Sequence, residues 1–348
     1  MNLKVFPSND ANLYEFCEIF IQSLISNNLI YHFKTSGSTG SSKDIEITYE
    51  QIKSSCLMTQ KALGLKKGYN ALVCLNTAYT AGKMMLARCH FIGMNAIVVP
   101  PSSNPFEFLP QDQSIDFAAF VPYQLNSLLN NNTTDINKRL NSMKVIIIGG
   151  EPVNEELESK IKKLDCPVFH TFGMTETLSH IALRRLNGSE KTDLFETLPG
   201  VKIEQDERGC LKVKATVTND QWITTNDIVE ISPPQKFKWI GRADFVINSG
   251  GIKVQIEPLE QEIKGILNSL GINRNFLILG IPDQVFNELV CLLLEGPEMT
   301  QQTESLLKDA FRKKIHPYKS PRKFLYKQTF NFTPTGKIDR KATTREFV

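Results

Sequence analysis

Length, composition and charge set the first limits on this protein. The chain has 348 residues, with 40 Lys or Arg against 37 Asp or Glu, so its formal net charge is +3. Hydrophobic residues at 41% and charged residues at 22% are typical of a globular chain and exclude extended disorder. At about 150 residues per domain the length predicts two domains. A surplus of three charges gives no argument for a nucleic-acid partner.

The cysteines and the apolar runs point to a compartment. Seven cysteines are dispersed without a CxxC pair, which predicts neither a disulfide framework nor a zinc site and favours a reducing environment. Pro7 and Asp10 interrupt the start of the chain before a signal-peptide core could form. Apolar runs such as 145–148 are far shorter than the roughly 20 residues of a membrane span. We therefore expect a cytoplasmic protein with no membrane insertion.

The first two thirds of the chain alternate helical and extended patterns. Apolar residues recur at helical spacing over 12–26, and Thr48 with Gln51 forms a candidate capping box for a helix that reaches about Leu63. Further helices are predicted at 80–92 and 154–163. Strands are predicted at 31–34, 45–48, 70–75, 96–99, 117–121, 145–148 and 167–171. This alternation favours a mostly parallel sheet covered by helices on both faces.

The pattern changes near Gly200. Short strands separated by turn residues are predicted at 201–203, 211–215, 222–224, 228–231 and 237–240, as in a small antiparallel sheet. After them come a helix at 258–270, strands at 276–280 and 288–293, and a helix at 303–315. The predicted fold is therefore α/β: an N-terminal domain at 1–241, with an antiparallel β sub-domain at 200–241, and a small mobile α+β domain at 242–348.

The segment from Thr35 to Lys43 carries the sharpest local signal. Its sequence, TSGSTGSSK, combines two glycines, several hydroxyls and a terminal cation, and this chemistry suits a polyphosphate. It lacks the GK[ST] ending of a Walker A loop. The alternative is a flexible polar surface loop.

A second signal is FGMTET at 172–177, directly after a predicted strand. A hydroxyl beside a carboxylate at a predicted strand-to-helix turn can hold a phosphate oxygen together with Mg²⁺. The alternative is an ordinary helix start, where Thr175 caps the helix and Glu176 suits its dipole.

Five further motifs follow in fixed order: TND at 225–227, WIGRAD at 239–244, SGG at 249–251, EPLE at 257–260 and TPTGKIDR at 333–340. With the first two, this series resembles the adenylate-forming superfamily of acyl-CoA synthetases, nonribosomal peptide adenylation domains and luciferases. The resemblance runs from about residue 35 to 340, nearly the whole chain.

The resemblance implies a role for each motif. Binding of the ATP phosphates falls to Thr35, Ser36, Gly37, Ser38, Thr39, Gly40 and Lys43, and binding of adenine and ribose to Gly149, Gly150, Glu151, Phe172, Gly173, Asp227 and Arg242. Thr175 contacts the α-phosphate, Glu176 holds Mg²⁺ and Lys337 is the catalytic lysine. Asp244 is the hinge, and Ser249, Gly250 and Gly251 line the tunnel for coenzyme A.

The implied reaction has two steps. A carboxylate attacks the α-phosphate of ATP and gives an acyl-adenylate with release of pyrophosphate, while the cation of Lys337 stabilises the developing charge. The C-terminal domain then rotates about Asp244, and the thiolate of coenzyme A displaces AMP. ATP, Mg²⁺ and coenzyme A are thus the expected small-molecule partners.

A closer resemblance concerns the acid. TETLSH at 175–180 resembles the o-succinylbenzoate–CoA ligases of menaquinone synthesis, which carry a cation where Arg88 stands. Their substrate is a dianion whose second carboxylate needs a partner. The acyl site is therefore expected at Arg88, Tyr79, Lys83, Ser179 and His180. The alternatives are that Arg88 faces solvent and that His180 packs for structure only. Family members commonly have a long segment before the phosphate loop, whereas 34 residues precede it here, so we expect an N-terminally shortened form.

Three other functions stay open. Another aryl- or fatty-acid–CoA ligase would need an apolar pocket and have no use for Arg88. A stand-alone adenylation domain would load a separate carrier protein, since this chain has no room for one. A nucleotide-binding regulator without activity is disfavoured, because the residues that the chemistry needs are present together: Lys43, Glu176, Asp227, Arg242 and Lys337.

Overall fold

The computed structural model describes residues 1–7, 10–34, 44–131, 133–332 and 338–347. The predicted phosphate-binding residues from Thr35 to Lys43 and the predicted catalytic Lys337 therefore lie outside the described residues. Thr175 is described in its backbone only.

The first half of the chain alternates strands with helices, as predicted. The strands are β1 (Leu3–Val5), β2 (Ile30–Lys34), β3 (Asp44–Thr48), β4 (Asn70–Val73), β5 (Asn95–Val98), β6 (Phe117–Phe120), β7 (Val145–Ile148) and β8 (Val168–Gly173). The helices are α1 (Ala11–Ile25), α2 (Tyr49–Leu63), α3 (Thr80–Ile92), α4 (Pro122–Asn131), α5 (Thr134–Ser142) and α6 (Glu155–Ile161). The capping box at the start of α2 is confirmed: the amide of Gln51 donates to Thr48 Oγ1, and the amide of Thr48 donates to Gln51 Oε1.

Strand β7 shows why a parallel sheet forms here. All four of its residues are buried, and alternate side chains enter different cores. Val145 and Ile147 pack in the core that holds α1, α2 and α3, whereas Ile146 and Ile148 pack in the core that holds α4, α5 and α6. A strand covered by helices on both faces reads as one continuous apolar run. The parallel pairs follow the order β1-β5-β4-β6-β7-β8.

The antiparallel part extends the same sheet. Its strands are β9 (His180–Arg185), β10 (Phe195–Thr197), β11 (Lys202–Gln205), β12 (Cys210–Lys214), β13 (Ile223–Ser232) and β14 (Lys236–Arg242). Strand β9 pairs antiparallel with β8, so the order continues β8-β9-β10-β14-β13-β12-β11 and twelve strands form one mixed sheet. The strands predicted at 222–224 and 228–231 are a single strand, β13, which carries a bulge between Ile228 and Val229 in its pairing with β14.

The C-terminal part builds a second sheet. Strands β15 (Val246–Ser249), β16 (Ile252–Gln255), β17 (Phe276–Asp283), β18 (Asn287–Glu295) and β19 (Lys323–Lys327) pair in the order β16-β15-β18-β17, with β19 on β18. Helices α7 (Ile256–Ser269) and α8 (Gln301–Lys314) cover one face, and the short helix α9 (Arg340–Thr344) lies near the chain end. The predicted α/β class is confirmed. No helix among the described residues has the length and hydropathy of a membrane span.

Candidate functional site

The candidate site begins where two parallel strands end. Gly149, Gly150 and Glu151 follow β7, and Phe172 and Gly173 end β8. Since Ile148 of β7 lies opposite His170 of β8, these segments meet at one edge of the sheet. A ligand site is expected at the carboxyl ends of parallel strands. Gly149 has no room for a side chain there, because a Cβ would collide with Thr171 Oγ1.

The segment after β8 differs from the prediction. A helix was expected after Gly173, but the structure has a short 3₁₀ turn at Thr175–Thr177 and then the antiparallel strand β9. The side chain of the buried Thr177, rather than a helix cap at Thr175, holds this turn. Thr177 Oγ1 accepts from the amide of Met174 at 3.0 Å and lies 2.8 Å from the carbonyl oxygen of Ser179. Gly173 lies so close to Ser179 that a Cβ would collide with its carbonyl. This tight turn leaves Glu176 exposed.

Beneath the turn lies a buried cation. Arg88 of α3 is only 2% exposed, and its Nη2 donates to Ser179 Oγ at 2.7 Å. The same nitrogen is 3.4 Å from His180 Nδ1. The predicted acyl-site residues Arg88, Ser179 and His180 therefore lie together, and Arg88 is not a solvent-facing helix residue.

The contacts of His180 define its tautomer. A guanidinium can only donate, so Nδ1 accepts from Arg88 and the proton resides on Nε2. Nε2 in turn donates to Thr59 Oγ1 at 3.1 Å, and Thr59 donates to the carbonyl of Ser55. Burial, and then the charge of Arg88, hold the pKa of His180 well below its ordinary value of 6.5. The imidazole is thus neutral at physiological pH.

Arg88 has no carboxylate partner within the described part of the chain. Its described polar contacts are Ser179, His180 and the sulfur of Met85, and its Nε has no hydrogen-bond partner. Burial lowers the pKa of the Arg88 guanidinium, which still carries its charge at neutral pH. An unpaired buried ion is costly, by several kcal/mol. The arrangement is therefore one that an anionic ligand would complete.

The other two predicted acyl-site residues lie elsewhere on the same helix. Lys83 Nζ lies over the ring of Phe33 at 5.1 Å and donates to the carbonyl of His32 at 3.3 Å, so Lys83 faces the β2–β3 hairpin. Tyr79 is the N-cap residue of α3. Of the two candidate cations, only Arg88 contacts Ser179 and His180.

A carboxylate predicted to bind ribose lies in the antiparallel strands. Asp227 of β13 accepts from Trp239 Nε1 at 2.9 Å, and its other oxygen is 3.9 Å from Arg242 Nη1. Burial raises the pKa of Asp227, while the bond from Trp239 and the charge of Arg242 oppose that rise. The Trp239 contact was not foreseen, although Trp239 is part of the WIGRAD motif.

The predicted hinge is a compact ion cluster. Arg242 binds Asp244 in a bidentate manner, with Nε and Nη2 at 2.9 and 2.8 Å from the two carboxylate oxygens. The amide of Arg242 donates to Glu257 Oε2 of α7 at 3.3 Å. Burial raises the pKa of Glu257 to about 7. The place of Glu257 in this cluster was not predicted, because Arg242, whose amide it binds, lies 15 residues earlier in the other sheet.

The predicted coenzyme A segment is a tight turn between β15 and β16. Gly250 and Gly251 have φ values of +57° and +81°, a region that favours glycine. The amide of Gly250 donates to the carbonyl of Phe286 at 2.7 Å, and Ser249 is buried. The turn can therefore present bare backbone to a thin ligand.

The predicted magnesium ligand, Glu176, is a lone carboxylate. The described residues contain no group of three or more His, Cys, Asp or Glu side chains that could hold an ion. Glu176 is a single exposed carboxylate, and Mg²⁺ is commonly held by one or two carboxylates together with substrate phosphates. The residue fits a magnesium ion that arrives with a nucleotide.

Comparisons with known proteins agree with this geometry. The family model described as AMP-binding enzyme matches residues 20–208, more than half of the chain. The 2-succinylbenzoate–CoA ligase of Lactococcus lactis subsp. lactis is 24% identical over 324 residues, which cover 88% of this chain and 69% of that protein. The protein of the same name from Staphylococcus epidermidis is 25% identical over 339 residues, covering 90% of this chain and 69% of that protein.

Solved structures give the same picture. An acyl-CoA synthetase (AMP-forming)/AMP-acid ligase II-like protein from Dyadobacter fermentans is 38% identical, with a TM-score of 0.65, and the match covers 98% of this chain and 96% of that one. The o-succinylbenzoate coenzyme A synthetase of Bacillus subtilis, in complex with ATP and magnesium ion, shares the fold at 21% identity with a TM-score of 0.74, over 90% of this chain and 69% of that one. The chain therefore belongs to the AMP-binding enzyme family, in its group of AMP-forming acid–CoA ligases.

Proposed function

We propose that this chain is an o-succinylbenzoate–CoA ligase that activates its acid with ATP and transfers the acyl group to coenzyme A. The observation that carries the proposal is the buried guanidinium of Arg88, which has no described carboxylate partner and contacts Ser179 and His180. A monocarboxylic acid spends its one carboxylate at the α-phosphate and has no second charge for this cation. A dicarboxylic acid has one.

The chemistry around Arg88 favours a carboxylate over a larger anion. Arg88 offers donors in a fixed plane that matches a carboxylate, and Ser179 supplies a hydroxyl next to them. His180 is neutral, and its two ring nitrogens bond to Thr59 and Arg88, so it adds no second charge beside Arg88. One cation for one distal carboxylate is the balance that a dianionic acid needs.

The other predicted residues enter the proposal in their family roles. Asp227 accepts hydrogen bonds from the ribose hydroxyls, Gly149, Gly150 and Glu151 line adenine, and Glu176 holds Mg²⁺ with the phosphates. Thr175 contacts the α-phosphate, and Lys337 stabilises the charge that develops there. Residues 1–241 form the adenylating domain, and residues 242–348 rotate about Asp244. The names of the two 2-succinylbenzoate–CoA ligases support the choice of acid.

A second candidate, a ligase for monocarboxylic aryl or fatty acids, would place an apolar tail where Arg88 lies. That would leave the guanidinium buried and unpaired beside the substrate. The location of Arg88 therefore argues against it.

An acid panel tests the proposal directly. The protein is incubated with ATP, Mg²⁺, coenzyme A and one acid at a time, and AMP is measured. We expect AMP with o-succinylbenzoate at a kcat/KM at least about 100-fold above that with benzoate or a fatty acid, the equivalent of roughly 2.7 kcal/mol for a buried ion pair. AMP formation with the monocarboxylic acids alone would refute the choice of acid, and no AMP with any acid would refute the ligase.

A further inference from the structure

Residues 331–332 and 338–339, here called the flanking pair, lie on the two sides of the segment 333–337 that includes Lys337. Phe332 and Ile338 form an antiparallel bridge, and the amide of Asp339 donates to the carbonyl of Asn331 at 2.8 Å. Thr343 Oγ1 accepts from the amide of Asn331 at 3.0 Å. The described residues on the two sides of the segment 333–337 are therefore bonded to one another.

Arg340, which directly follows the flanking pair, bonds to the rest of the C-terminal part. Its Nη2 lies 2.6 and 2.7 Å from the two carboxylate oxygens of Glu260 in α7. Its Nη1 donates to the carbonyl of Ile278 in β17 at 2.7 Å, and the amide of Ile278 donates to the same Glu260. Arg340 and Glu260 are about one-fifth exposed, so the pair is partly shielded from water. The guanidinium of Arg340 thus connects helix α7 and strand β17 with the flanking pair.

An aromatic ring extends the connection to the hinge. The guanidinium carbon of Arg340 is 5.1 Å from the centre of the Phe245 ring, and that of Arg242 is 5.7 Å from the same ring. Phe245 directly follows Asp244. The ring of Phe245 therefore contacts both Arg340, next to the flanking pair, and Arg242 of the hinge cluster.

We propose that Arg340 is a positioning residue for the first half-reaction, acting through Lys337 by holding the flanking pair on Glu260, Ile278 and Phe245. This proposal rests on the role of Lys337 under the proposed function. Arg340 follows Lys337 by three positions in the chain, so their Cα atoms are at most roughly 11 Å apart. A displacement of about 1 Å of a charge that must meet a developing anion can cost on the order of 100-fold in rate.

The test separates the two half-reactions in the full chain. Adenylation is followed by pyrophosphate exchange with ATP, and thioester formation by supplying the preformed acyl-adenylate with coenzyme A. Arg340→Gln removes the cation of the ion pair, Glu260→Gln removes its anion, and Lys341→Gln alters the exposed neighbour in α9 as the matched control. We expect both pair variants to lower kcat for adenylation about 10- to 100-fold, with KM for ATP and the thioester step within about 3-fold of the parent. The control is expected to match the parent.

A double-variant cycle identifies the route of the effect. If Arg340 acts only through Lys337, Arg340→Gln costs nothing further in the Lys337→Ala background. A loss of both half-reactions in parallel, or a full additional loss in that background, would overturn the proposal.

A readout independent of activity separates this proposal from the assignment of the acid. Amide hydrogen exchange over 331–339 is expected to be faster in Arg340→Gln than in Lys341→Gln, with the rest of the chain unchanged. Equal exchange in the two variants would overturn the positioning role, even in a protein that turns over another acid. Failure of the acid panel would leave this result standing.

Discussion

Two arginines show how differently the molecule treats the same charge. Arg88 is a buried residue of helix α3. Its polar neighbours are the hydroxyl of Ser179, the imidazole of His180 and the thioether of Met85. Arg242 lies at the end of β14 with the carboxylates of Asp244 and Asp227 around it. Burial lowers the pKa of Arg88, whereas the bond to Asp244 raises the pKa of Arg242 above its ordinary value. The first charge is left without a counter-ion among described residues, and the second is neutralised by the protein.

The difference indicates that the two arginines have different functions. A charge that the fold leaves unpaired in its interior gains the most when a ligand supplies the anion, because the desolvation cost is already present in the free protein. A charge that the fold already neutralises, such as that of Arg242, has its counter-ion in the free protein and gains less from an anionic ligand. The predictions below test whether Arg88 and Arg242 divide their roles in this way.

The largest effect is expected from Arg88→Met, which removes the charge and keeps an apolar side chain of similar length. kcat/KM for o-succinylbenzoate should fall about 100-fold, while activity on benzoate should stay the same or rise, because the distal carboxylate has lost its partner. The midpoint of thermal unfolding should rise or stay constant, since an unpaired buried charge has been removed.

Arg139→Met is the matched control, because Arg139 of α5 pairs with Asp135 at 3.1 Å. This variant should lower stability slightly and leave acid selection unchanged. If Arg88→Met were destabilised and still selected o-succinylbenzoate, Arg88 would be a structural residue and the contrast between the two arginines would fail.

A smaller effect is expected at the neutralised cluster. Asp227→Asn keeps an acceptor for Trp239 Nε1 but removes the negative charge near Arg242. KM for ATP should rise about 10-fold, because one neutral amide oxygen replaces a carboxylate that can accept from both ribose hydroxyls. KM for the acid should change less than about 2-fold. An unchanged KM for ATP in steady-state assays at saturating acid would remove Asp227 from the ribose site.

The local parts of this structure are predictable from the sequence. The continuous apolar run at 145–148 predicts a strand covered on both faces, and Thr48 with Gln51 predicts the start of α2, because both depend on neighbours in the chain. The placement of Arg88 near Ser179 and His180 was expected from the family resemblance, and the three residues do lie together.

The parts that sequence missed depend on distant contacts. Thr59 meets His180 across 121 residues, and no motif marks a threonine in the middle of a helix. The 3₁₀ turn at Thr175–Thr177 replaces the expected helix because β9 pairs back onto β8, and this pairing is set by the sheet rather than by the turn residues. The opposite directions of Lys83 and Arg88 on α3 follow from what each face of the helix packs against.

The smallest effect concerns Glu257, which connects the Arg242 cluster to α7. Its pKa is raised by burial from 4.5 to about 7, with Glu260 adding to the rise and the charge of Arg340 opposing it. A carboxyl group with a raised pKa binds more protons in the folded chain than in the unfolded chain between about pH 4.5 and 7. The contribution of Glu257 to the free energy of unfolding should therefore fall as the pH rises through this range. Above about pH 7 that contribution should be constant.

Glu257→Gln removes that titration while an amide oxygen can still accept from the Arg242 amide. The variant should match the parent in urea unfolding below about pH 4.5 and exceed it by about 1–2 kcal/mol at pH 8, a value reduced for the partial exposure of the group. Glu262→Gln, an exposed position on the same helix, should show no such growth with pH. A constant difference between Glu257→Gln and the parent from pH 5 to 8 would mean that the cluster around Arg242 carries no buried proton, and that its charges balance through Asp227 and Asp244 alone.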